Sequence, residues 1–459
     1  MTNAWKTYSE KEKQEVMDFN DAYIDFISKG KTERLCTKMI IELAKGFGYK
    51  NMEDVILHHE TLKPQDKVYF NMMNKSVALV HIGNEPLEKG LNIVGAHIDS
   101  PRLDLKQHPL YEADGLAFFD THYYGGIKKY QWLALPLALY GVVCLKDGTT
   151  VDVSIGDHAE DPVLCITDLL PHLAKDQMKN NASEFVEGDN LDVIVGSIPE
   201  SDEEKDAVKK NVLALLNQMY GIDEEDFVSA ELEIVPHGKA HSAGLDRSMV
   251  LGYGQDDRVC AYTSLIAMLE QDTLDRSAAG LFVDKEEIGS VGATGMQSRF
   301  FENMIAEILE AMGEYSDLKV RRALQNSYAL SNDVCAAHDP NYPSVSSPHD
   351  NMAKFGHGLS FAKYTGSRGK GGSNDANPEF IAKLRKIFED AHVVWQTSEL
   401  GKVDQGGGGT IAYILANYGM QVIDSGVALQ SMHSPFELSS KADVFEAKKA
   451  YKAFIKHCK

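Results

Sequence analysis

The chain has 459 residues, of which 43% are hydrophobic and 25% charged, and a net charge of −22. That length exceeds one ordinary core and points to two globular domains. The charge excludes nucleic acid as the main partner, because phosphate binding needs clustered Lys and Arg, and it suits a protein that attracts cations.

The opening residues, Met1 to Lys6, lead into a polar helical stretch and carry no apolar signal core. The longest apolar run, Leu133 to Leu145, is too short to span a bilayer and contains Pro136. No membrane partner is expected. Six cysteines (Cys36, Cys144, Cys165, Cys260, Cys335 and Cys458) are scattered without a C-x-x-C pair. That usage suits reduced thiols in the cytoplasm.

Residues 8 to 46 carry helical spacing, with Val16, Phe19, Tyr23 and Phe26, then Leu35, Met39, Ile40 and Leu43. Val77 to Ile82 reads as a strand. Leu91 to Ile98 is a second apolar strand, and it ends in His97-Ile98-Asp99. A spacing of two puts His97 and Asp99 on one strand face. A carboxylate there can fix the imidazole tautomer and leave the other nitrogen for a metal. The plainer reading is a buried histidine beside a surface aspartate.

From about Leu105 to Leu245 the texture changes to short, partly alternating segments such as Val151 to Ile155, with glycine turns between them. A helical stretch, Ala207 to Met219, is flanked by acidic runs at Ser201 to Asp206 and Asp223 to Asp226, read as solvated faces. This region does not continue a strand-helix alternation and reads as an inserted domain, residues 106–247. The remaining parts, 1–105 and 248–459, form one discontinuous α/β domain.

The α/β texture returns at Gly252 to Val259. There Asp256 and Asp257 precede a helix with Ala261, Leu265, Met268 and Leu269 on one stripe. The pair caps the helix or supplies a carboxylate that bridges two metals. Ala278 to Val283 is a short apolar strand followed by Asp284-Lys285-Glu286-Glu287-Ile288-Gly289. Adjacent residues leaving a strand point to opposite sides, so one glutamate can bind a metal while the other remains a base. A helix follows over Arg299 to Met312. Tyr328 to Asn332 is another strand, ending on Asp333. Gly369-Lys370-Gly371 and Gln405 to Thr410 lack the G-K-[ST] order of a phosphate loop. Met420 to Val427 is strand-like and leads to Ser431-Met432-His433.

One theme recurs: an apolar run ends on a ligand-capable side chain. His97, Asp256, Glu286 with Glu287, Asp333 and His433 all fit it. Two histidines and three carboxylates are the ligand mix for a pair of Zn²⁺-like ions. Carboxylates gathered without cations would repel one another. Such ions polarise a carbonyl and stabilise an oxyanion, with the spare glutamate as general base and then acid.

The order H-x-D, D-D, E-E, D, H resembles the aspartyl aminopeptidase family of dinuclear zinc exopeptidases over nearly the whole chain. The resemblance rests on Ala96 to Pro101, Asp284 to Ser290 and Met432-His433-Ser434, supported by Leu170 to Ala174 and by Asp333 with Pro340-Asn341-Tyr342. It implies a peptidase-type α/β fold: a three-layer domain with a central mixed sheet, interrupted by a smaller β-rich dimerisation domain.

By that resemblance His97, Asp256, Glu287, Asp333 and His433 hold two divalent ions per subunit, Zn²⁺ first, with Co²⁺ or Mn²⁺ as alternatives in one site. Asp256 bridges, Glu286 is the base and Asp99 orients His97. His172, Lys363 and Asp404 are further candidates for ligand or substrate contact. The implied activity is an aminopeptidase acting on short peptides. The implied assembly is a homo-oligomer of dimers closed into a dodecamer.

Three departures concern specificity. Asp176 stands where some relatives have a histidine, and Asp339 opens their His-Pro-Asn motif. Val403-Asp404-Gln405 replaces the pocket segment of acidic-substrate members. Asp404 in the pocket would favour a basic side chain. A deacylase of small amides, which needs no free α-amine, and a shell scaffold with vestigial catalysis are the competing readings.

Overall fold

The computed structural model describes residues 2–158, 160–201, 205–347, 349, 351–366 and 368–459. The chain divides into two compact units. The larger holds residues 1–99, 240–432 and 437–459, and the smaller holds 100–239 and 433–436. The first junction falls at 99/100, before the strand Arg102–Ala113 that belongs to the smaller unit's sheet. The return falls at 239/240, before the strand His241–Ala243 that belongs to the larger unit.

In the larger unit, α1 (Glu10–Lys29) starts on a capping box. Ser9 N–H donates to Glu12 Oε2 at 2.7 Å, and Glu12 N–H donates back to Ser9 Oγ at 3.3 Å. The second helix, α2 (Glu33–Gly46), is capped by Thr32, whose Oγ1 accepts from Leu35 N–H. Nine strands then form one mixed sheet: β1 (Lys50–Asn51), β2 (Lys67–Met72), β3 (Ser76–His81), β4 (Leu91–His97), β5 (Ser277–Val283), β6 (Tyr328–Asn332), β7 (Leu359–Ala362), β8 (Trp395–Thr397) and β9 (Gln421–Gly426). Their spatial order is β1-β2-β3-β5-β4-β6-β9-β7-β8. The central four, β5, β4, β6 and β9, run parallel, with Val283 beside His97 and Ser331 beside Gly95.

The central strands are buried on both faces, which explains their unbroken apolar runs. Val94, Ala96, Ala278 and Phe282 enter one core layer, packed with α1, α2, α3 (Gln255–Leu269), α5 (Pro378–Asp390) and α6 (Lys441–His457). Leu91, Ile93, Ala279, Leu281 and Val283 enter the other, with α4 (Phe300–Ala311) and the helix Asp317–Gln325. The alternation of strand side chains divides each strand between the two layers.

The sequence suggested a single apolar stripe on α3, and the structure corrects this. Every residue of α3 except Ile266 is buried, because the helix packs on β4 and against both α1 and α6. A five-stranded sheet (His241–Ala243, Met249–Gly252, Glu437–Ser440, Ala428–Gln430 and Cys335–Ala336) completes this unit.

The smaller unit is built on a six-stranded antiparallel sheet with Ala230–Pro236 and Arg102–Ala113 at its centre. Its own core includes Trp132, Leu139, Phe227 and Ile234, covered by the helix Ala207–Tyr220. Of the acidic run at 201–206, residues 202–204 lie outside the described residues. The second acidic run is not simply a solvated face: Asp226 is buried, and its carboxylate accepts from Asp223 N–H at 2.9 Å.

All six cysteines are free thiols. Among the described residues no helix is long and apolar enough to cross a membrane.

Candidate metal centre

The candidate residues of the larger unit gather at the carboxyl edge of the parallel strands, the usual place for sites in open α/β sheets. β4 ends on His97, β5 leads into Asp284 and the glutamate pair, and β6 leads into Asp333. Asp256 comes from the non-helical first turn of α3, just after Gly254, which adopts φ +72° and lets the chain reverse. That turn is fixed from two sides. Asp256 N–H donates to Glu437 Oε2 at 3.0 Å, and Gln255 Nε2 donates to the Glu437 and Val250 carbonyl oxygens.

His97, Asp256 and Asp333 each present a ligand atom within 4.8 Å of the others. His97 Nε2 lies 3.2 Å from Asp256 Oδ1, and 3.9 Å from both Glu286 Oε2 and Asp333 Oδ1. Asp256 and Glu287 likewise bring carboxylate oxygens within 4.8 Å of one another. Asp256 is thus common to two donor groups.

Asp99 is wholly buried and lies behind this cluster. Its Oδ1 is 3.2 Å from His97 Nδ1, which also meets the Asp99 carbonyl oxygen at 3.0 Å. The Nδ1 side of the ring is therefore occupied and Nε2 points to the cluster. The Asp99 carboxylate also accepts the backbone N–H groups of Glu286 and Glu287, each at 3.2 Å.

Two details differ from the sequence reading. β4 stops at His97, so Asp99 reaches the imidazole from the following turn and not from the same strand face. Glu286–Ile288 is a 3₁₀ turn entered through Lys285 at φ +71°, so the two glutamates do not continue the strand and strand alternation does not set their directions.

The protein's own charges strain against one another here. Burial lowers the pKa of His97, but hydrogen bonds that the ring donates to the Asp256 and Asp99 carboxylates outweigh it and hold the imidazole well above its usual value. Burial, then the nearby Asp257 and Glu286 carboxylates, push Asp333 well up. Burial does the same to Asp257. A divalent cation relieves this repulsion, and imidazole with carboxylates is a donor set that Zn²⁺ accepts. The residues present fit such an ion.

Three contributors were not singled out by the sequence. Asp257 Oδ2 accepts from His97 N–H at 3.3 Å. Arg258 Nε donates to the Ile98 carbonyl oxygen at 3.0 Å. Glu437 secures the Asp256 turn from a strand 181 residues away. Only the Asp-Asp-Arg run at the helix start could have drawn attention to the first two.

The remaining candidates lie elsewhere. His433 sits in the segment 433–436 of the smaller unit, where its Nδ1 meets the Gly126 carbonyl oxygen at 2.8 Å. The same tautomer logic leaves its Nε2 for a ligand role. His172 is an exposed residue of that unit. Lys363 follows β7, which runs antiparallel to β9 and so away from the carboxyl edge, and its Nζ is ion-paired with Asp375. Asp404 is exposed, at φ +72°.

The family model described as aminopeptidase I zinc metalloprotease (M18) matches residues 26–455. The chain belongs to the M18 family. A probable M18 family aminopeptidase 1 from Clostridium acetobutylicum is 58% identical over 99% of this chain and 97% of that protein. Its counterpart in Thermotoga maritima is 48% identical over 99% and 98%.

The crystal structure of the T. maritima M18 aminopeptidase superposes with TM-score 0.94 at 47% identity, covering 99% of both chains. That of C. acetobutylicum aminopeptidase I gives 0.93 at 56%, with the same coverage. A more distant neighbour, the yeast mApe1 dodecamer, gives 0.77 at 21% and shares the fold. The peptidase-type α/β fold, the hydrolase class and the metal-dependent aminopeptidase activity implied by the resemblance agree with this family.

Asp99→Asn should weaken zinc binding about 10- to 100-fold, the range for loss of a partner behind a metal-ligating histidine. Competition against a chromogenic chelator measures it. An affinity within about twofold of the parent would contradict the role given to Asp99.

Proposed function

We propose that this protein removes the N-terminal residue from short peptides by attack of water at a centre of two divalent ions, with Glu286 as the general base. The observation that carries the reading is the place of Asp256 in both donor groups, one with His97 and Asp333, the other with Glu287. A carboxylate shared in this way suits a bridge between two ions. His433 is the further ligand that the family resemblance assigns. Zn²⁺ is the first choice for both positions, and Co²⁺ or Mn²⁺ also accept imidazole and carboxylate.

The bound ions would supply positive charge that acidifies a water and stabilises the developing oxyanion. The chain's own residues do the rest. Asp99 holds His97 through Nδ1. Glu286 Oε2 lies 3.9 Å from His97 Nε2, at the edge of the cluster, where its carboxylate takes a proton from water. The same carboxyl then gives that proton to the departing amine. Lys363 and Asp404 are the candidates for choosing the residue cleaved, and His172 for a substrate or ligand contact. We infer a cytoplasmic enzyme, in keeping with its six free thiols.

Glu286→Gln should retain its metal and lose about 10²- to 10⁴-fold in kcat on aminoacyl chromogenic amides. The same panel, run with N-acetylated twins, should show cleavage of free-amine substrates only. Near-parent turnover by the variant would remove Glu286 from the base role, and cleavage of the acetylated twins would favour the deacylase.

We also infer a homo-oligomer in which the smaller unit makes dimer contacts and dimers close into a dodecamer; the yeast neighbour is a dodecamer. Exposed Leu169, Leu170, Leu173 and Met178 give that unit an apolar surface suited to a partner. Light scattering should return twelve times the 50.7 kDa chain mass. A monomer mass at micromolar concentration would contradict the assembly.

A further inference from the structure

The loop that carries Glu286 and Glu287 is closed at its base by a second buried network, separate from Asp99. Asp284 is wholly buried, as are Ser76 and Glu33, and Thr294 is 3% exposed. Thr294 Oγ1 donates to Asp284 Oδ2 at 2.6 Å. Asp284 N–H donates to Ser76 Oγ at 3.0 Å, and Ser76 Oγ donates to the Thr294 carbonyl oxygen at 2.6 Å. These three bonds form a ring that joins the first residue of the loop to its last, with β3 as the anchor.

Charge reinforces the ring. Lys75 Nζ lies 3.6 Å from Asp284 Oδ2 and 3.4 Å from Glu33 Oε1, and Lys285 Nζ lies 3.3 Å from Asp284 Oδ2. Two carboxylates meet two ammonium groups, so the ring adds no net negative charge beside the carboxylates of the metal centre. Glu33 is the first residue of α2, so the network also ties that helix to the loop.

We propose that Asp284, Thr294 and Ser76 are positioning residues for Glu286: they hold the loop so that the base stays in reach of its water. The geometry gives the reason. Only Lys285 separates Asp284 from Glu286, and Lys285 stands at a left-handed φ. A turn held at such an angle carries both glutamates with it when either end shifts. Asp99 fixes the turn at its tip, and the Asp284 ring fixes it at its base. A general base displaced by about 1 Å loses about 10²-fold in rate. This inference rests on the reading of Glu286 as the base.

The test compares Thr294→Val, Thr294→Ser and Asp284→Asn with the parent and with Glu286→Gln, all at saturating zinc so that the share of Glu287 in ion binding does not enter. Valine keeps the volume of threonine and removes the donor, while serine restores it. Thr294→Val should lower kcat about 10- to 100-fold, with KM within about twofold and zinc content unchanged. Thr294→Ser should return kcat to within about threefold of the parent.

A Thr294→Val rate within about twofold of the parent, beside an inactive Glu286→Gln, would overturn this inference alone. A loss that serine does not restore would also overturn it, because volume and not the hydroxyl would then be at issue. An active Glu286→Gln would overturn the base reading and this inference with it. If Thr294→Val does not fold, Asp284→Asn carries the test. It keeps size and an acceptor but loses the charge, and the same fall in kcat at constant KM is expected. A parent-like rate in Asp284→Asn would overturn the proposal.

Discussion

A single buried carboxylate, Asp99, accepts the backbone N–H groups of both Glu286 and Glu287 and faces His97 Nδ1 at 3.2 Å. Two elements of the centre therefore share one anchor: the imidazole at the end of β4 and the turn after β5. Removing one partner of a buried charged contact costs about 3–5 kcal/mol, because the other is left without compensation. That magnitude is comparable to much of a domain's net stability of about 5–15 kcal/mol. The arrangement is accordingly held by the fold as a whole.

The concentration of negative charge is the second constraint. Asp256, Asp257, Asp333, Glu286 and Glu287 converge near one imidazole, and the protein answers in two ways. Toward the open side it offers donor atoms within 4.8 Å, a set that a divalent cation neutralises. Behind the glutamate turn it uses Lys75 and Lys285 to balance Asp284 and Glu33. The two solutions differ because their surroundings differ. At the base, lysines stand beside Asp284 and Glu33, while the carboxylates at the strand ends form a donor set for an ion.

Much of the α/β scaffold was legible in the sequence because its central strands are buried on both faces. The runs at Leu91, Ala278 and Tyr328 read as strands for that reason, and their ends pointed to His97, the glutamate pair and Asp333. Local geometry was less legible. A spacing of two suggested one strand face for His97 and Asp99, yet β4 stops at His97 and the pair meets through a turn. Glu286 and Glu287 stand in a 3₁₀ turn and not in a strand, so strand alternation does not set their directions. The burial of α3 on every side could not be read from its own residues, since it depends on α6, nearly two hundred positions later. Glu437 and Thr294 had no signal at all: each acts through a neighbour that only the fold brings near.

The central claim is that the gathered imidazole and carboxylates hold divalent ions that the reaction requires. The most direct test strips the protein with a chelator, verifies the fold by far-ultraviolet circular dichroism, and restores Zn²⁺ in steps while following hydrolysis of a free-amine aminoacyl amide. The account predicts loss of activity with the fold intact, and its return in proportion to added ion up to two equivalents per chain. An undiminished rate in the stripped, folded protein would contradict it.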